Sequence, residues 1–316
     1  MIRGTEARDL ERALDMADAK RRAVAVYHPI FHRPAVDARA VQAPWFRTMI
    51  ERSSIVTLVH EDQDGIDGFI AANPFPGTPL TFRVDDFVVA RAELWSSVGR
   101  SLLHVACREV TRRGAESWEV NCQPRDEAKR RMLVSEGLVA ARLNVVNHDP
   151  LPDILARLGP ASVPVRHAVW EEIDRAGDLI MDQLKTYHEL DPRYYRPPDW
   201  KAERERLRGV MNEPGSVCIA VGEAGGYGDY SWPTSSHASP CMILAARFTS
   251  CRASLRPEDR GTRTGMRCCS AMRLIAEQGA ALMNTFAQRG DAERTSALAE
   301  VGLTVVTEFF RQDLSR

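Results

Sequence analysis

The residues best suited to chemistry in this sequence lie in RPEDRGTRTGMRCCSAMRLI (256–275), a turn rich in arginine and glycine that leads from a strand into a helix. The first backbone N–H groups of a helix have no partner within it and carry partial positive charge, so a diphosphate placed there gains several hydrogen bonds at once. Arg260, Gly261, Arg263, Thr264 and Gly265 make up the turn, and the two arginines add charge. A second strand-to-helix turn, ELWSSVG (93–99), is less basic. The strand before it, TFRVDDFVVA (81–90), carries the adjacent carboxylates Asp85 and Asp86. Strand alternation sends such neighbours to opposite faces, so at most one should point into a cleft.

Other groups read more plainly. His28 and His32 are four apart, but Pro29 interrupts any helix between them, so metal ligation is not expected. Tyr194, Tyr195, Trp200, Tyr227, Tyr230 and Trp232 suit core packing and loop anchoring, with an acceptor pocket as the alternative. Seven cysteines at irregular spacing, with no CxxC pair, read as reduced core thiols.

The elements that must hold these groups follow from periodicity. A helical pattern covers 6–27, a proline-interrupted stretch runs to Pro44, and a helix is expected from Trp45 to Arg52. SIVTLVHE (54–61) and GFIAANPF (68–75) bracket DQDG, a hairpin in which Gly65 can take positive φ. After the 81–90 strand come a helix from Arg100 to Arg113 stopped by Gly114, strand WEVNC, a helix at 125–135 closed by Gly137, and strand LVAARLNVV. LPDILARLGPASVP reads as a linker.

The same order then recurs: helices near 171–187 and 200–212, strands SVCIAV, YGDYSW and CMILAARF, a helix at 265–278, strand ALMNTFA, a helix at 291–300 and strand LTVVTEFF. Val59 and Val221, Gly99 and Gly265, and Gly137 and Gly302 are separated by 162, 166 and 165 residues, near-constant offsets that argue for duplication. The expected domains are therefore 1–150 and 164–316, with 151–163 between them, and 316 residues suffice for two cores. Apolar residues at 44% and charged residues at 27% fit an ordinary globular protein. With 42 Lys and Arg against 43 Asp and Glu, no general field draws in nucleic acid or an anionic membrane. The N-terminus lacks the apolar core of a secretion signal, and no apolar run suits a bilayer, so a cytoplasmic protein acting on a small molecule or peptide is expected.

The turn at 260–265 resembles the pyrophosphate loop of the GNAT superfamily, which runs Arg or Gln, two variable residues, Gly, one variable residue, then Gly or Ala. Arg260 and Gly265 match, while Arg263 replaces the inner glycine. In the first half only Gly99 matches, with Leu94 and Ser97 at the other positions. Asp-Asp-Phe, Trp-x-x-Val-Gly and Leu-Leu, followed by DEAKRRMLVSEGL, are similar to actinobacterial acyltransferase-like sequences. The resemblance implies two tandem GNAT folds of α/β (α+β) class, each a mixed, mostly antiparallel sheet flanked by helices.

It also implies acyl transfer, acetyl above all, from acetyl-CoA or another acyl-CoA to an amine of a small molecule, natural product or peptide. A pantetheine arm would pair with strand backbone at Phe87, Val88 and Val89, and in the second half at Ala253, Ser254 and Leu255. Trp95, Ser97, Val98, Gly99, Arg100 and Ser101 would lie along the cofactor. Asp85 or Asp86 would be the base that frees the amine, and the N–H of Val89 would meet the oxyanion. The tyrosine that many of these enzymes use to protonate the leaving thiolate is Leu133 in one half and Leu298 in the other. A non-catalytic protein that binds acyl-CoA or another ligand in such a cleft is the alternative.

Overall fold

The computed structural model describes residues 1–75, 80–158 and 282–314, together with 165–167, 219–221, 229–233, 242–246 and a few isolated positions. The chain divides into two compact units, Met1–Ala141 with Val306–Arg316, and Arg142–Val305.

In the first unit, β1 (Ile2–Gly4), β2 (Val56–Asp62), β3 (Gly65–Phe75) and β4 (Thr81–Val89) pair antiparallel in that order. The β2–β3 hairpin turns at Gly65, whose φ of 111° is the left-handed conformation that the DQDG turn requires. Next, β4 runs parallel to β5 (Ser117–Cys122), and β5 is antiparallel to β12 (Leu303–Asp313) over Glu308–Asp313. The end of the sequence thus completes the first sheet. Phe310 brings a fully buried ring to that core, and Gln312 accepts the indole N–H of Trp118 at 3.1 Å.

Helices cover both faces of this sheet. On one side, α1 (Leu10–Ala25) and α2 (Ala38–Glu51) enclose Leu14, Phe46, Met49, Phe69 and Val88. Contrary to the expected start at Trp45, α2 begins seven residues earlier and carries Pro44 within it. On the other side, α3 (Val98–Arg112) and α4 (Glu127–Ser135) pack Leu102, Leu103, Met132 and Leu133 over Phe87, Trp118 and Val120. Helix α3 settles on β3 at Gly68, where a Cβ would lie 2.7 Å from Leu102 and Val98.

In the second unit, β6 (Val139–Asn147) pairs antiparallel with β11 (Met283–Gln288), and β11 runs parallel to β10 (Met242–Ala246). Antiparallel pairs then link β10 to β9 (Asp229–Pro233), β9 to β8 (Ile219–Val221) and β8 to β7 (Val165–His167). Residues 151–158, expected to be linker, instead form the helix α5 (Leu151–Leu158), because Leu151 and Ile154 bury on one face. The closing helices of the two units share two features. Both α4 and α6 (Ala292–Glu300) are capped by an aspartate, Asp126 or Asp291, that accepts the N–H of a buried cation three residues on, Lys129 or Arg294. Both helices lead to a left-handed glycine, Gly137 or Gly302. The helices expected near 171–187, 200–212 and 265–278 lie outside the described residues, apart from isolated positions.

Candidate active site

The two central strands of the first unit part company. β4 keeps its partner β3 along its whole length but is paired with β5 only from Thr81–Ser117 to Val84–Val120. A register irregularity between Ala71 and Ala72 leaves Asp85 as the extra residue of a bulge. Past the bulge, Ala90 donates its N–H to Asp67 at 2.8 Å, so antiparallel alternation turns Asp86 and Val88 toward β3. The N–H and C=O groups of Phe87 and Val89 therefore face the side that β5 has left. The second unit repeats this opening: β10 pairs with β11 only at Met242–Met283 and Ile243–Asn284, yet continues beside β9 to Ala246.

The bulge also changes where the carboxylates go. The expected alternation of Asp85 and Asp86 fails, because the extra residue shifts the pleat by one position. Asp86 pairs with Arg21 of α1 at 3.4 Å. Asp85 accepts from the side chain of Asn73 at 2.9 Å, on the face of β3 that also carries Ala71 of the α1–α2 core. Desolvation by surrounding protein pushes the Asp85 carboxyl above its ordinary value, opposed by the charge of Arg83 and by the Asn73 bond.

Trp95, from a short 3-10 turn at Ala92–Ser96, is buried edge-on to Phe87, with ring centroids 4.8 Å apart. Gly99 is the residue that lets the indole in: a Cβ there would stand 2.6 Å from Cε3 of Trp95. Gly99→Ala is therefore expected to lower stability by about 1–3 kcal/mol, seen as a lower thermal midpoint without any ligand. Val98 is buried in the core, while Ser97, Arg100 and Ser101 are exposed around the first turn of α3. Ser101 donates its N–H to the carbonyl of Ser97, so the N–H groups of Val98, Gly99 and Arg100 are the unpaired ones of that helix start. The Arg100 side chain is drawn away to Glu136 at 2.7 Å.

Two lysines occupy the opening itself. Lys20 of α1 and Lys129 of α4, from opposite faces of the sheet, both donate to the carbonyl of Phe87, at 3.1 and 3.4 Å. Lys129 is fully buried, its Nζ 4.9 Å from the centre of the Phe87 ring and 5.2 Å from that of Trp95. Burial, and after it the charge of Lys20, pulls its pKa down to about 7. Asn121 of β5 donates to the carbonyl of Asp85 at 3.1 Å. A pantetheine arm lying between β4 and β5 needs the room and the Phe87 carbonyl that Lys129 takes, so the residues of the first unit do not fit that group with Lys129 in place.

Sequence reasoning gathered Phe87, Val89, Trp95, Val98 and Gly99 in one place, and the structure does the same. It missed Lys20 and Lys129, which the charged runs AKRR and AKRR at 19–22 and 128–131 disguise as solvent-facing. Leu133 and Leu298 are both buried in cores. His32 is pulled down to about 4 by burial and then by His28 and Lys20, so it is neutral at pH 7. Leu255, Arg260, Gly261, Arg263, Thr264 and Gly265, with Ala253 and Ser254, lie outside the described residues. Among the described residues no helix is long and apolar enough to cross a membrane.

No family model matches the chain, and no curated protein matches it. Solved structures do. A GCN5-related N-acetyltransferase from Sphaerobacter thermophilus aligns over 99% of this chain and 95% of its own, at 13% identity and a TM-score of 0.59. A glucosamine N-acetyltransferase region of a fungal multi-domain β-N-acetylglucosaminidase aligns over 99% of this chain and 38% of its own, at 13% identity and a TM-score of 0.55. The mixed, mostly antiparallel sheet flanked by helices is the fold of the GCN5-related N-acetyltransferases.

Proposed function

We propose that the chain is an acyl-CoA-dependent N-acyltransferase that moves an acyl group, acetyl first, to an amine of a small molecule, natural product or peptide. The observation that carries this is the opened parallel pair, present in both units at the same point of the repeat. Strand backbone left without a ladder partner is where an amide-bearing arm can add its own hydrogen bonds, and the start of the next helix lies beside it. When bound, coenzyme A would supply the activated thioester.

We place turnover in the second unit. Arg260, Gly261, Arg263, Thr264 and Gly265 would receive the diphosphate there, with Leu255 on the strand before them. The first unit, its opening filled by Lys129, would serve as the scaffold. Asp86 is committed to Arg21, and Asp85, the more exposed of the two carboxylates, is held by the side chain of Asn73. Release of free thiol from acetyl-CoA against a panel of amines tests the reading. Arg260→Ala and Gly265→Asp are expected to lower kcat/KM by about 10- to 100-fold, while Asp85→Asn and Asp86→Asn stay within about twofold of wild type. Loss of turnover in the aspartate variants alone would move catalysis to the first unit. A second reading, a binding protein without turnover, is favoured by the filled opening, and coenzyme A binding with no thiol release against any amine would establish it.

A further inference from the structure

We infer that the first unit holds a vestigial donor slot closed by its own Lys129, and that removing this one side chain opens the slot to coenzyme A. The inference rests on reading the parted β4–β5 pair as a donor slot, and it goes further by naming the residue that decides occupancy.

Stability does not explain a lysine here. A buried ammonium with no ion-pair partner costs several kcal/mol even when hydrogen-bonded. Among the described residues no carboxylate forms an ion pair with Lys129: it meets the Phe87 and Trp95 rings, the Phe87 carbonyl and a second lysine, while the charges of Asp126 and Asp86, with Cys122, act on it without contact and are outweighed by burial. An apolar side chain of the same length would fill the volume at lower cost.

The walls of the opening suit something other than an ammonium. The N–H groups of Phe87 and Val89 aim into it from β4. At the β5 rim, Asn121 Oδ1 and Gln123 Oε1 are buried acceptors without a hydrogen-bond partner. The N–H groups of Val98, Gly99 and Arg100 stand at the nearby helix start. Lys129 gives its hydrogen bond to the Phe87 carbonyl, and no bond from it to the strand N–H groups accompanies that contact. A chain carrying amide N–H and C=O groups in series, ending in a phosphate, complements all of these at once, and pantetheine is such a chain.

Hydrogen–deuterium exchange on the full chain, with and without coenzyme A, separates the outcomes, because peptides spanning 87–101 report only on this opening. In wild type, coenzyme A should leave their exchange unchanged. In Lys129→Ala the same peptides should slow by about tenfold. Lys129→Met, which refills the volume, should behave as wild type. Slowing of 87–101 in wild type would overturn the inference. So would a Lys129→Ala chain that melts as cooperatively as Lys129→Met and shows no slowing. If Lys129→Ala does not fold, Lys129→Val takes its place with the same two outcomes. A chain protected nowhere by coenzyme A, with no thiol release, defeats the acyltransferase reading, while the alanine variant still judges the plug separately.

Discussion

Residues 1–150 expressed alone are expected to lack a cooperative thermal transition. Such a piece contains every helix of the first unit but not Val306–Arg316, which belongs to it. Without β12, six residues of β5 from Ser117 to Cys122 lose their ladder partner. The salt bridge from Arg130 to Glu308, at 2.8 Å, and the Trp118–Gln312 hydrogen bond go with it. Phe310, fully buried in the main core, is also missing, and removal of such a ring alone costs about 3–5 kcal/mol. Against a total stability of about 5–15 kcal/mol, these losses together suffice to unfold the unit. The check is circular dichroism with heating, and the rescue is specific: 1–141 joined through a Gly/Ser linker to 306–316 should melt cooperatively. A sharp transition in 1–150 itself would mean that its own β6 segment can stand beside β5 in place of β12.

That exchange explains what could be read from the sequence and what could not. Hydrophobic periodicity and left-handed glycines mark elements, and they mark them well here: Gly114 and Gly137 stop the helices they were expected to stop. Periodicity says nothing about which strand a strand pairs with. LVAARLNVV and LTVVTEFF carry similar patterns, so either could border WEVNC, and only packing decides. At the site, the resemblance of Trp-x-x-Val-Gly pointed to the right place because Gly99 is needed there, although what it admits is an indole. The bulge at Asp85 was hidden, since two adjacent aspartates in VDDFVV fit ordinary strand alternation as well as they fit an extra residue. Lys129 was hidden for another reason. A lysine among arginines and glutamates on a short helix is nearly always in water, and it takes the three-dimensional parting of two strands to make a place for it inside.

The burial of Lys129 gives the last expected result, a loss of stability on acidification like that of a paired carboxylate but set at neutral to alkaline pH. Its pKa falls from 10.5 in the unfolded chain to about 7 in the folded one, with desolvation the largest cause. Between those values the unfolded chain binds a proton that the folded chain has released, so this group makes stability rise with pH, by about 1.4 kcal/mol per pH unit. Below pH 7 both states are protonated and the folded chain carries the buried charge in full. Lys129→Met removes the group and keeps the bulk, and Lys20 still donates to the Phe87 carbonyl. The variant should therefore be more stable than wild type at pH 6–7, by about 1–4 kcal/mol. The gap should close as the pH is raised toward 10, with other titrating groups cancelling in the difference. Urea titrations of both proteins at pH 6, 8 and 9.5 measure it. A gap that is constant across that range would place the Lys129 ammonium in contact with water, and the opening between the strands would then be wet and accessible.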